Sequence, residues 1–475
     1  MMSLPRFVSS VALALALSAC ATAGPNYHAP EQSAATMPAA QGPFASAQGA
    51  AFSQAALPDR WWSLYDDARL DGLVEQALTA NTDLRAAEAN LERADALVAE
   101  AAAGRALTTS ISGGVDLARQ SQTGRPLPGV VTDNLGLTLA YPLDLRGKLR
   151  RAIEATEADR EATEAARDAV RVSVAGATTR AYAGVCAANY QLGVAQKVVE
   201  LQRQTLDATR RLQRGGRGTA FDVSRAAAAV ETSAASLPAF AAQRQNALYL
   251  LATLLGRAPA DYPREVADCA VLPRLAGSIP VEDGAALIRR RADIRQAERA
   301  IAADTARIGV ATADLYPSVS IGGSVGLSGK LEDFGTSDSF GFSLGPLLSW
   351  SFPNRPVVRA RIDQADAQVR ADLATFDGTV LEALRQAETA METYARDRDR
   401  AAALGRARDS AATSAGQAGK LFRFGRSDFL NVLSAQGSLA AAEASHAAAE
   451  AGLVEDQIAV FLALGGGWQR DSAQQ

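Results

Sequence analysis

Two pairs of strongly alternating strands, set between long Ala-rich stretches, constrain this chain more than any other feature. In the first pair, Ile111, Val115 and Leu117 take one parity, and Ser110, Ser112, Gly114 and Asp116 take the other. Its second strand sets Leu135, Leu137, Leu139, Tyr141 and Leu143 against Thr132, Asn134, Gly136 and Thr138. The later pair repeats the design. Val319, Ile321, Val325 and Leu327 oppose Ser318, Ser320, Ser324 and Ser328, and Phe340, Phe342, Leu344, Leu348, Trp350 and Phe352 oppose Gly341, Ser343, Gly345 and Ser349. An apolar face, a small polar face and aromatics toward the ends suit barrel strands between lipid and water. A single-chain membrane barrel needs about eight strands to close. Four strands would leave unpaired edges in hydrocarbon, at prohibitive cost. The pattern therefore predicts a barrel assembled from several copies of the chain.

The 475 residues leave room for two or three domains, and the formal charge is only −4. Lys and Arg are spread among Asp and Glu along the helical stretches, so no basic surface for nucleic acid is expected. Arg6, the apolar stretch 11–17 and the small residues after it read as a secretory leader. Beyond it no run of ~18 apolar residues predicts a membrane-spanning helix. The leader ends Leu17-Ser18-Ala19-Cys20, which resembles a bacterial lipoprotein cleavage box. On that resemblance Cys20 becomes the first mature residue and carries the lipid. Ala21 then replaces the Asp that favours inner-membrane retention. Cys186 reads as a small buried hydrophobe within a helix, and Cys269 falls in a Pro-rich connector. An oxidising compartment permits a disulfide, but proximity is not legible, and no bridge is expected.

The chain is internally duplicated. Asn81-Thr82-Asp83-Leu84-Arg85 aligns with Arg291-Ala292-Asp293-Ile294-Arg295 at an offset of 210 (291 − 81), and Ile111, Gly113, Val115 and Leu117 fall on Ile321, Gly323, Val325 and Leu327. One deletion makes the offset 209, which carries Tyr141 onto Trp350, Gly216 onto Gly425, and Leu255-Gly256 onto Leu464-Gly465. Periodicity predicts helices over 70–104, 146–213, 220–256, 282–313, 356–422 and 430–464. The helices 220–256 and 282–313 together nearly match 146–213, and 70–104 with 430–464 nearly matches 356–422. Those matches predict that each such pair stacks end to end, forming a wall roughly 100 Å high at ~1.5 Å rise per residue. Ala-rich helices carrying charge on two faces suit a thin wall wet on both sides.

Each half turns back through a short Gly-bearing connector, Arg214-Gly215-Gly216-Arg217-Gly218-Thr219 or Arg423-Phe424-Gly425-Arg426-Ser427-Asp428. Asp222 and Asp428 lie near the starts of the returning helices, where an acidic residue ordinarily caps or complements the helix dipole. Replicated around an axis, they could also form a carboxylate ring that selects cations or holds a gate. Arg214, Gly216, Thr219, Asp222, Arg423, Gly425, Arg426, Ser427 and Asp428 are therefore the candidate gate and partner-contact residues. An enzyme is not expected. The only histidines are His28 and His446, and no phosphate loop, metal spacing or nucleophile elbow is present. No cofactor or metal site follows from the pattern.

Several segments together resemble the TolC-like outer-membrane efflux duct family, in its lipidated NodT-type branch. They are Gly24-Pro25-Asn26-Tyr27 with Pro30, Trp61-Trp62, Tyr141-Pro142-Leu143-Asp144-Leu145 with Gly147, Arg290-Arg291-Ala292-Asp293-Ile294-Arg295, Gly345-Pro346 with Ser349-Trp350, and Ala463-Leu464-Gly465-Gly466-Gly467-Trp468. The chain departs from the family at Ala292, where Pro is frequent, at Pro353-Asn354-Arg355-Pro356, and in its Gly-rich first tip. The resemblance implies a mainly α fold with membrane β. Three copies would close a twelve-stranded outer-membrane barrel continued by a periplasmic α-helical barrel. It further implies a periplasmic adaptor protein and an inner-membrane pump, usually proton-driven, as partners. The expected function is the exit duct of a tripartite efflux system for small molecules, with protein export by a type I secretion system as the alternative. The division expected is leader 1–19, lipidated linker 20–69, first repeat 70–256 with strands at about 107–143, connector 257–281, second repeat 282–465 with strands at about 317–353, and tail 466–475.

Overall fold

The computed structural model describes residues 22–118, 121–122, 125–126, 129–352 and 354–466. Cys20, the leader, Pro353, Gly467 and Trp468 lie outside them. The main elements are α1 (Ala68–Ala80), α2 (Thr82–Ala103), β1 (Thr108–Ala118), β2 (Val130–Leu143), α3 (Lys148–Arg214), α4 (Ala220–Ala234) and α5 (Leu237–Leu254). They are followed by α6 (Gly284–Arg290), α7 (Ala292–Ala313), β3 (Ser318–Lys330), β4 (Phe340–Ser349), α8 (Arg355–Arg423) and α9 (Phe429–Ala463). Among the described residues no helix is long and apolar enough to cross a membrane. The described residues form two compact units, each drawing on both sequence halves: those within 22–31, 90–164 and 296–376 in one, and those within 32–89, 165–295 and 377–466 in the other.

The first unit holds a four-stranded antiparallel sheet in the order β1-β2-β3-β4. Its register puts Ile111 opposite Leu137, Leu137 opposite Val325, and Val325 opposite Phe342, so the apolar parities of all four strands share one face. That face is exposed, with Ile111 at 78% and Phe342 and Leu344 both at 80% of full accessibility. On the opposite face hydroxyls pair across strands, Ser110 with Thr138 at 2.5 Å and Ser324 with Ser343 at 2.8 Å. Strands β1 and β4 each keep one edge unpaired among the described residues. At the start of α3 the buried Arg151 grips the N-terminal segment. Its guanidinium donates to the carbonyls of Ala23 and Gly24 and to Asn26 Oδ1. Gly24 packs where any side chain would meet the backbone of Gly309.

The second unit contains the helical hairpins, and here three expectations are corrected. Helix 70–104 is broken at Asn81 and helix 282–313 at Arg291, positions that the duplication superimposes. Both residues are extended, with ψ of 134° and 125°. Asn81 Oδ1 accepts the amides of Asp83 and Leu84, an N-cap that starts α2 afresh. Helix 220–256 is also interrupted, after Ala234, because Pro238 in the first turn of α5 cannot donate to the preceding turn.

The stacking expectation is corrected too. The helix ends that meet are those of the same half. Asn81 Nδ2 donates to the carbonyl of Leu254, at the end of α5, and the Arg291 guanidinium donates to the carbonyl of Ala463, at the end of α9. Summed lengths could not distinguish these partners, because the short helices are nearly equal. Each junction closes with a glycine at positive φ, Gly256 (69°) or Gly465 (93°), whose following residue bonds back five positions in a Schellman turn.

The third correction concerns the cysteines, which form a disulfide between Cys186 and Cys269 across 83 residues, with Cα atoms 4.7 Å apart. Asn189, one turn along α3, donates to the carbonyls of Ala267 and Cys269 and so folds the connector onto the helix. That long-range contact leaves no signal in the spacing of the cysteines. Closing so long a loop constrains the unfolded chain by about 4–5 kcal/mol in the chain-entropy account.

The N-terminal residues after 32 are also tied into this unit. The amides of Ala34, Ala45 and Ser46 donate to Asp377 and Glu388 of α8, and Trp61 stacks on Phe461 at 4.7 Å.

The junctions make a measurable distinction between two glycines. Gly216 and Gly256 both hold positive φ, which costs a non-Gly residue about 1–2 kcal/mol. A side chain at Gly216 would meet open space, whereas a Cβ at Gly256 would lie 2.5 Å from the Ala80 carbonyl oxygen. Gly256→Ala should therefore lower the apparent melting temperature, followed by circular dichroism, clearly more than Gly216→Ala. Equal shifts would contradict the junction geometry.

Candidate functional site

The two hairpin tips are built by the same local chemistry. After α3 the chain turns at Gly216 (φ 73°), and the amides of Gly216 and Arg217 donate to the carbonyls of Gln213 and Leu212. After α8 it turns at Gly425 (φ 67°), and Gly425 and Arg426 donate to Phe422 and Leu421. Both are Schellman turns, in which glycine takes the left-handed position at least cost. The returning helices are capped differently. Thr219 and Asp222 form a reciprocal capping box, each side chain accepting the other's backbone amide at 3.1 Å. Asp428 is itself the N-cap of α9, accepting the Asn431 amide at 2.9 Å. Asn431 in turn donates to the Ser427 hydroxyl.

Asp222 and Asp428 therefore do not occupy equivalent positions. Thr219 corresponds to Asp428, and Asp222 to Asn431. Both carboxylates serve as helix caps within one chain, and neither forms an ion pair with Arg214, Arg217, Arg423 or Arg426 among the described residues.

The second unit brings the hairpins side by side. Phe429, the first residue of α9, packs on the cluster of Val199, Leu206, Ala226 and Val230, and Gln436 donates to the Thr205 hydroxyl. The tips are apolar at their extremes. Phe424 is 79% exposed, and Phe221 and Leu430, one residue past the first positions of the returning helices, are exposed as well.

Two acid pairs escape sequence reasoning, because each joins residues from different helices. Burial, then the neighbouring Asp397 of α8, pushes the Asp456 carboxyl of α9 up to about 6, with Glu455 adding a smaller push in the same direction. In the other unit, burial and a hydrogen bond with Asp304 of α7 push Asp372 of α8 up to about 6. There Arg307 bonds to Asp304 and to Asp159 of α3, which holds three carboxylates near one cation. Among the described residues no group of His, Cys, Asp and Glu could hold a metal ion.

Comparisons with known proteins agree with this architecture. The family described as Outer membrane efflux protein matches residues 73–257 and 285–466. Nodulation protein T of Rhizobium leguminosarum bv. trifolii is 30% identical over 461 residues, covering 96% of each chain. The pyoverdine export outer membrane protein OpmQ of Pseudomonas putida is 30% identical over 99% of both chains. Among solved structures, the outer-membrane channel OprN is 34% identical, with a TM-score of 0.86 over 94% of this chain and 99% of that one.

The Asp456 environment sets a pH dependence with a definite sign. Its carboxyl binds a proton more tightly when folded than at the usual value of 3.8, so stability falls as pH rises through roughly 4–6. Asp456→Asn removes the charge that appears beside Asp397. It should raise the melting temperature at pH 7.5 and give no gain at pH 4.5; a gain independent of pH would contradict the repulsion.

Proposed function

The chain belongs to the outer membrane efflux protein family, and from that premise we propose that three copies form the exit duct of a tripartite efflux system. The observation that carries this reading is the sheet. Its four strands expose an apolar face and, among the described residues, keep two unpaired edges, an arrangement tolerable in hydrocarbon only if further strands close it. Three copies give twelve strands, within the range of known outer-membrane barrels. The polar face, with its cross-strand hydroxyl pairs, then lines the lumen.

The relative named for pyoverdine export supports a small-molecule cargo. Energy comes from an inner-membrane pump, proton-driven in this reading, and a periplasmic adaptor joins pump to duct. The chain itself carries no catalytic step.

Purified in detergent, the protein should have the mass of three protomers with its strand content intact. A monodisperse monomer retaining its strands would overturn the trimer. Anchoring at Cys20 is part of the same proposal, resting on the Leu17-Ser18-Ala19-Cys20 box. Cys20→Ser should abolish incorporation of a fatty-acid probe, while unchanged labelling would exclude this site.

The tips at 214–222 and 423–430 are proposed as the periplasmic gate and adaptor contact. A threefold axis would gather three copies of Asp222 and of Asp428, and their mutual repulsion requires Arg partners from neighbouring copies or a bound cation. Asp428→Asn keeps a good N-cap while removing the charge. It should change cation block or conductance in planar bilayers at unchanged melting temperature. Wild-type conductance and block would reduce Asp428 to its capping role.

A further inference from the structure

Where the sheet meets the helices, the first unit contains a cavity of about 340 Å³, at the lower end of the ~300–1,000 Å³ range of ligand pockets. Its lining carries Arg146, Lys148, Asp314, Tyr316, Trp350 and Arg361. The charges do not cancel. Asp144, also at the wall, is consumed by the start of α3, accepting the amides of Leu149 at 3.0 Å and Arg150 at 2.8 Å. Asp314 is left to serve two cations, Lys148 at 2.5 Å and Arg361 at 3.8 Å. Arg146 lies over the Tyr316 ring, 4.2 Å from its centroid, which fixes its position without neutralising it. Three cations thus face a single available carboxylate.

The surroundings identify the anion. Leu143, Val319 and Trp350 of the lining share the parity of the exposed apolar face, and Trp350 packs on Phe352 with ring centroids 5.2 Å apart. An exposed aromatic pair at the end of an apolar strand face is the usual marker of the level where lipid tails give way to headgroups. A soluble anion would need no apolar strip beside its site. A phospholipid needs both, a cationic recess for the phosphate and an apolar surface along which the acyl chains can lie.

We propose that this recess binds the phosphate of an anionic glycerophospholipid from the periplasmic leaflet. Lys148 and Arg361 contact the phosphate oxygens, Arg146 contributes charge from its seat on Tyr316, and Trp350 flanks the glycerol backbone. Asp314 is the built-in competitor, holding both cations when no lipid is present. The proposal rests on the outer-membrane reading above.

The test is native mass spectrometry of the detergent-purified protein with dioleoyl phosphatidylglycerol, dioleoyl phosphatidylcholine or inorganic phosphate. Wild type should retain phosphatidylglycerol roughly tenfold or more over phosphatidylcholine. Lys148→Gln with Arg361→Gln should lose that preference. Asp314→Asn, which frees both cations, should strengthen it, and this opposite sign carries the test if the double variant fails to assemble. Equal retention of the two lipids by wild type, or a weaker preference in Asp314→Asn, would overturn the site. Displacement of the lipid by millimolar phosphate would make it a free-anion site and overturn the lipid assignment. A protein that runs as a monomer without detergent would fail the outer-membrane reading itself, whereas a detergent-dependent trimer without lipid preference fails only the site.

Discussion

A backbone amide or carbonyl facing hydrocarbon without a partner is too costly to persist, and this constraint governs the rest of the molecule. The sheet satisfies it internally through three antiparallel ladders, with β2 and β3 paired on both sides. It fails at β1 and β4, whose outer edges have no partner among the described residues of one chain. Oligomerisation follows from that failure rather than from an adhesive surface. The exposed apolar face, which in water would be an aggregation hazard, becomes the lipid contact once the edges are closed.

The helices meet a different requirement, joining short segments without leaving helix ends unsatisfied. The solution appears twice. Asn81 caps the start of α2 and donates to the last turn of α5, while Arg291 at the equivalent position donates to the last turn of α9. Asn and Arg have little in common chemically, yet both reach a C-terminal carbonyl from an extended backbone. The duplication has kept the junction's geometry while changing the residue that makes it. The tips behave likewise, with Thr219 and Asp428 as alternative caps on equivalent helices.

What was legible in the sequence were features encoded by local periodicity. Strand parity, the repeat, the two hairpin turns and the mainly α fold all follow from spacings of two, of three to four, and of about 210 residues. What escaped was set by contacts between distant segments. Asn81 and Arg291 sit within continuous helical patterns, and only their carbonyl partners across the fold make a break favourable there. The matching of helix lengths misassigned the stacked partners because four near-equal lengths cannot rank the pairings. The Cys186–Cys269 bridge depends on Asn189 folding a Pro-rich connector back onto α3, and Asp456 meets Asp397 only because α8 and α9 pack together. At the tips, sequence located both turns and read Asp222 and Asp428 as residues that cap the returning helices; what spacing alone left open is that Asp222 closes a capping box with Thr219, whereas Asp428 is itself the cap.

Amide hydrogen exchange on the membrane-inserted protein tests the closure of the sheet most directly. If neighbouring copies complete the barrel, the outward amides of β1 and β4 should be as strongly protected as those of β2 and β3, although the described residues of one chain offer them no partner. Exchange of the two edge strands at the rate of exposed loops, beside a protected β2 and β3, would mean that the edges remain open and would contradict the account.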